Sequence, residues 1–226
     1  MSTFLELCAN LRREAGISGT GPSSVVGQTG EMLRVVEWVL SAYRSIQNLH
    51  PNWLFLQNDF SFQTVAGTGN YTKTATGTPE LGAWKAQTFS CYLTAAGVNA
   101  EQFLCYVPWD DFSDAYMMGS TSVQQGLPVY FTIKPDQSVQ LWPIPNDAYT
   151  VRGEYFKRAQ SMAANSDEPL IPLAFQEAIV WRALMLYGAY AAADEKYSHG
   201  QNEYQSVLSR LELNQLPEFQ LGEAML

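Results

Sequence analysis

Charge is scarce in this 226-residue chain: 15% of its residues are charged, against about 25% in ordinary soluble domains. Acidic side chains dominate the few charges present, 22 Asp and Glu against 13 Lys and Arg, for a formal net charge of −9. That sign argues against a protein that wraps nucleic acid, because phosphate contacts need basic side chains. Histidine is nearly missing. With only His50 and His199, neither a histidine-based catalytic triad nor a multi-histidine metal site can be assembled. The three cysteines, Cys8, Cys91 and Cys105, lack metal or redox spacing and read as reduced, half-buried small apolar residues, without a disulfide framework.

Long apolar runs are lacking too. The longest apolar-rich stretch, 178–193, is interrupted by Arg182 and Gly188 and falls short of the roughly 18 to 20 residues needed to cross a bilayer. The opening MSTFLELCANLRRE has none of the charged start, apolar stretch and small-residue cleavage site of a signal peptide. The expectation is a soluble protein made in a cytoplasm, with no membrane partner. What the chain does hold is 46% hydrophobic and 13% aromatic residues, more than a lone monomer with so few charges can hide. Much of the surface is therefore expected to meet other protein.

Ser2 or Thr3 can cap a first helix with Glu6 closing a capping box, and Phe4, Leu7, Cys8 and Leu11 follow on one face until Gly16. Residues 16–30, with five glycines and a proline, read as a loop. A second helix starts at Glu31, because Met32, Val35, Val36, Val39, Leu40, Tyr43 and Ile46 trace one apolar stripe; His50-Pro51 ends it. From Asp59 the period changes to two, with Phe60 and Phe62 alternating with polar neighbours, and a turn-rich stretch follows at 67–82. Further strands are predicted at 88–94, 102–107, 128–134, 138–142 and 149–156. After Pro169 the helical period returns over 173–193, apolar on nearly its whole circumference, and over 194–213, which is amphipathic. The predicted fold is α+β: a discontinuous helical bundle from both chain ends (1–57 and 158–214) with an inserted antiparallel β domain, sandwich or barrel-like (58–157), and an extended tail (215–226).

Motifs for catalysis are sparse. Gly16, Gly19 and Gly21 follow no strand and do not fit G-x-G-x-x-G, and no P-loop occurs, so no cofactor is expected. The most enzyme-like spot is Trp109, Asp110, Asp111 and Asp114, carboxylates beside an aromatic ring as in carbohydrate sites. The alternative to a structural role is thus a carbohydrate-binding or glycan-hydrolysing module. The same acids serve equally as caps and loop solvators of a short turn.

The opening FLELCANLRREAGISGTGPSSVVGQTGEMLRVVEWVLSAYRSIQ, then HPNW, YVPWDDF and LWPIPNDAYTVRGEYFKRAQSMAANSDEPLIPLAFQEAIVWRAL resemble head-to-tail adaptor proteins of tailed bacteriophages. The most specific parts are 16–31, Trp142-Pro143-Ile144-Pro145 and 167–172, whereas 68–83 and the last ten residues match nothing in the family's pattern. The resemblance implies a non-enzymatic virion protein that forms a ring, usually of twelve copies, beneath the portal at the vertex between head and tail. Its partners would be other copies of itself, the portal protein, distal tail or nozzle proteins, and genomic DNA that passes without specific binding. Under this reading Phe175, Ile179, Trp181, Tyr187 and Tyr190, from the helix apolar on every side, are candidates for the subunit interface. Leu216, Phe219, Leu221, Met225 and Leu226, an apolar tail without a helical pattern, are candidates for the portal contact.

Overall fold

The computed structural model describes residues 2–217. The chain divides into two compact units, one of Met1–Leu56 with Ala159–Leu226 and one of Gln57–Arg158. The first unit opens with α1 (Phe4–Ala15) and α2 (Gly30–Gln47). Thr3 and Glu6 form the capping box expected, and Gly16 closes α1 in the left-handed region at φ 75°. Phe4, Leu7, Cys8 and Leu11 on α1, and Val35, Val36, Val39, Tyr43 and Ile46 on α2, are buried.

The second unit carries β1 (Gln57–Gln63), β2 (Asn70–Tyr71), β3 (Leu81–Leu93), β4 (Gln102–Phe103), β5 (Cys105–Tyr106), α3 (Trp109–Tyr116), β6 (Gln125–Gly126), β7 (Tyr130–Ile133), β8 (Val139–Trp142), β9 (Ile144–Pro145) and β10 (Tyr149–Lys157). One four-stranded sheet runs β1-β10-β3-β4 and a second β2-β8-β7-β5. Phe60, Phe89, Cys91 and Val151 from the first sheet and Tyr71, Phe131, Val139 and Leu141 from the second share one core. The rings of Phe89 and Phe131 stack across it with centroids 4.2 Å apart. Among the described residues the sheets form a sandwich and no closed barrel.

The expected antiparallel pairing holds in the long ladders, β1 with β10 and β10 with β3. It fails in two short ones, where β5 pairs parallel with β7 and β6 parallel with β9. A parallel pair needs a long crossover connection, and α3 supplies it between β5 and β7. The stretch 109–116, read from sequence as a short turn, is this helix. Strand β3 also begins earlier than expected, at Leu81, and is irregular: it shifts register against β10 between Arg152 and Glu154. There the Thr88 hydroxyl donates to the Lys85 carbonyl at 2.8 Å and accepts from the Glu154 N–H at 2.8 Å, so one threonine side chain replaces the interrupted backbone pairing. Gly153, opposite Phe60 in the register, leaves room for that ring: a Cβ there would come within 3.0 Å of it.

The chain then returns to the helical unit through 159–172. The Asn165 side-chain carbonyl accepts from the Val25 N–H at 2.7 Å and the Ser24 hydroxyl at 3.2 Å, while the Asp167 carbonyl accepts from the Phe4 N–H at 2.8 Å. The stretch 16–31 is thus tied, through Asn165, to the segment that leads into 167–172, another of the stretches that carry the family resemblance. After a 3₁₀ turn at Leu173–Phe175 come α4 (Glu177–Ala191) and α5 (Asp194–Gln215). Helix α4 packs against α1, α2 and α5.

Candidate functional site

The acidic cluster in the second unit does not face a reaction partner. Asp110 and Asp111 occupy the first turn of α3 and Asp114 the next, and all three side chains are exposed. Carboxylates at a helix start are favoured by the helix dipole alone. The other face of α3 is occupied: Phe112 is buried, and Tyr116 lies 4.3 Å from the Trp142 ring and 5.3 Å from that of Tyr130. Trp109 sits beneath the Lys134 ammonium, 5.6 Å from the ring centroid. The helix covers the second sheet with its aromatics and turns its acids to solvent, so Asp110, Asp111 and Asp114 do not bracket a cleft as glycosidic cleavage requires of its carboxyl pair.

The first sheet bears an open groove of about 650 Å³ on its outer face, lined among others by Asp59, Ser90, Glu101, Phe103, Arg152 and Glu154. Its charges are mostly paired. Glu101 accepts from two nitrogens of Arg152, Nε at 2.6 Å and the terminal Nη2, and from the Ser90 hydroxyl at 2.6 Å. These bonds hold the Glu101 carboxyl below its ordinary pKa, the Arg152 bond contributing most. Lys85 pairs with Glu154 at 2.6 Å. Phe103, at one wall of the groove, is 78% exposed. Exposed apolar side chains crowd the same part of the chain, Tyr106, Met118, Val123 and Val129 among them. Their exposure is hidden in the sequence, where an aromatic within a strand reads as core. The reason is the switch at Leu104: this one buried residue carries the chain from β4 in one sheet to β5 in the other, and Phe103 and Cys105 on either side of it are exposed. Cys105 is therefore an open surface thiol, while Cys8 and Cys91 are fully buried.

In the helical unit the five interface candidates separate. Ile179 is fully buried in the unit's own core and offers no surface to a neighbour. Phe175 is half-buried in the 3₁₀ turn. Trp181 meets His199 of α5 edge to face at 5.3 Å, whereas Tyr187 and Tyr190 meet Trp38 of α2 at 5.7 and 5.5 Å. The all-round apolar character of α4 thus has a source inside the subunit, since three helices surround it, and it does not by itself call for a second copy. Tyr190 keeps 58% of its surface exposed and carries the Arg34 guanidinium 4.4 Å above its ring. Arg34 and Trp38 were not among the sequence candidates, because an arginine on the polar face of an amphipathic helix has no distinguishing pattern. Of the tail candidates, Leu216 follows α5 directly and is half-buried; Phe219, Leu221, Met225 and Leu226 lie outside the described residues.

Among the described residues no three His, Cys, Asp or Glu side chains converge as metal ligands would, and no helix is long and apolar enough to cross a membrane. The model of one protein family, the SU10 adaptor protein, matches residues 2–221. The chain belongs to the SU10 adaptor family. The match runs through both units, the helical one from both chain ends and the β unit between them. Membership makes the chain a structural adaptor of the phage head-to-tail type, a component of the virion that works by contact with other phage proteins. No curated protein matches it.

Proposed function

We propose that this adaptor forms a ring, of twelve copies in the family pattern, that joins the portal to the tail and lines the DNA passage at the portal vertex. The observation that carries the reading is the family match across residues 2–221, which takes in both units. A ring of this kind works through complementary surfaces and needs no chemistry. Exposed apolar side chains are at hand on both units, Tyr190 on the helical unit and Phe103 and Val123 on the β unit. The net charge of −9 suits a wall along which DNA slides, since each added basic residue would contribute a phosphate contact and hold the duplex back.

The tail beyond Gln215 reaches the portal under this reading, with Leu216, Phe219, Leu221, Met225 and Leu226 supplying apolar area as it docks. The β unit faces the distal tail or nozzle proteins. Truncation after Gln215 tests the tail assignment: the shortened chain should keep its melting temperature and lose binding to purified portal rings. Unchanged binding would remove the tail from the portal contact.

A further inference from the structure

Three of the four outer edges of the two four-stranded sheets are strands of two residues, β2, β4 and β5. The fourth, β1, runs for seven residues, Gln57–Gln63, and pairs with β10 without a register shift. A long, regular edge offers a row of unpaired N–H and C=O groups, and soluble proteins blunt such edges with proline, lysine or a bulge. Strand β1 holds none of these. The direction of its backbone groups follows from the ladder. The Thr64 N–H donates to the Tyr149 carbonyl at 2.8 Å, so the alternation of an antiparallel pair turns Phe62, Phe60 and Asn58 toward β10 and Gln63, Ser61 and Asp59 away from it. Among the described residues no group bonds to the outward N–H and C=O of Asp59, Ser61 or Gln63, and all three residues are exposed.

The outer face of this edge carries an unanswered charge. Asp59 stands directly opposite Glu154 of β10, in a pair whose side chains come close because neither residue turns its backbone toward the other. Like charges so placed repel. Lys85 answers one of them, at 2.6 Å from Glu154, and also donates to the Gln57 side chain at 3.3 Å. Arg152 is held by Glu101. Asp59 forms no ion pair among the described residues. Its open side is the free edge, where a neighbouring strand would set a side chain about 5 Å away. The inner face asks for the opposite chemistry: Phe60 and Phe62 point into the core, and the Phe62 ring lies 4.9 Å from that of Tyr71 on β2. We propose that the β1 edge takes up an extended segment of another phage protein as an added strand, with Lys or Arg on the outer face opposite Asp59 and apolar side chains alternating with them beside Phe60 and Phe62. Backbone pairing supplies the attachment and the alternate side chains the selectivity. The inference needs neither the ring nor the portal contact proposed above.

The test uses the full chain and two capped peptides as long as β1, one alternating valine with lysine and the other valine with glutamate. Amide hydrogen exchange followed by NMR should be fast at Asp59, Ser61 and Gln63 and slow at Phe60 and Phe62 in the protein alone. The lysine peptide should slow exchange at the three outward amides and bind about fivefold or more tightly than the glutamate peptide, a margin that Asp59→Asn should narrow. Ser61→Pro, which removes an outward N–H where an edge strand tolerates proline, should keep the melting temperature and lose the peptide. Outward amides that are slow without peptide, a lysine peptide that leaves them unchanged, equal binding of the two peptides, or a margin that Asp59→Asn leaves intact overturns the proposal. So does protection that rises with protein concentration alone, which would assign the edge to a second copy.

Discussion

Gly188 on α4 lies so close to α5 that a Cβ at this position would stand 2.7 Å from the Tyr197 backbone nitrogen and 2.9 Å from its Cα. Gly200 repeats the approach from the other helix, with the Trp181 carbonyl 3.0 Å from where its Cβ would be. The two glycines let the helices meet backbone to backbone.

Gly188→Ala sets two effects against each other. Alanine is worth up to about 1 kcal/mol more than glycine inside a helix, while a methyl group forced against fixed backbone costs typically about 1 to 3 kcal/mol and occasionally more. Because the opposing atoms belong to the Tyr197 main chain and cannot rotate away, the clash is expected to win. Thermal denaturation of the variant should show a lowered melting temperature. An unchanged or raised value would mean that α4 and α5 sit farther apart than described.

The helices were the most legible part of the fold, and the reason is local. The Thr3 and Glu6 cap, the stop at Gly16 and the stripes of α2 and α5 depend on residues a few positions apart. The change to period two near Phe60 was readable for the same cause. Pairing was not. The first half of β3 mixes exposed and half-buried residues around the Thr88 irregularity, so it shows no alternation, and the parallel partners of β5 and β6 lie far along the chain. The candidate surface was legible only in part. Tyr190 came from the apolar pattern of α4, but Ile179 came with it, because the same pattern serves core and interface alike. Phe103 falls within the predicted strand 102–107, and the strand pattern alone does not say that it faces outward beside the sheet switch at Leu104.

Cysteine reactivity follows from burial. The thiols of Cys8 and Cys91 are each pushed up to about 12 by burial, with the Glu101 charge adding to the effect at Cys91, and both are closed to reagents. Cys105 is exposed. Ellman's reagent should titrate one thiol rapidly in the folded subunit and three after denaturation. Loss of the fast thiol in Cys105→Ser would identify it, and rapid reaction of a second thiol in the folded protein would contradict the described core.

Glu101 should titrate below its ordinary value of 4.5 because it binds Arg152 and the Ser90 hydroxyl in its charged form. A carboxyl whose folded pKa is depressed stabilises the fold fully above the ordinary range and loses that contribution as pH falls through the folded value. The window here is therefore acidic, below about pH 4.5. Carboxyl-carbon NMR of Glu101 should give a lowered midpoint that rises toward the ordinary value in Arg152→Met. The pair is on the surface, so overall stability near neutral pH should change little in that variant. An Arg152→Met midpoint identical to the parent's would show that the guanidinium does not set it.

The measurement that bears most directly on the adaptor's role is electron-microscope class averaging of the protein alone and after mixing with portal rings at matched concentration. Rings stacked coaxially on the portal are the expected result, and their averages would display the copy number. Single small particles in both samples, with portal rings left bare, would contradict assembly on the portal.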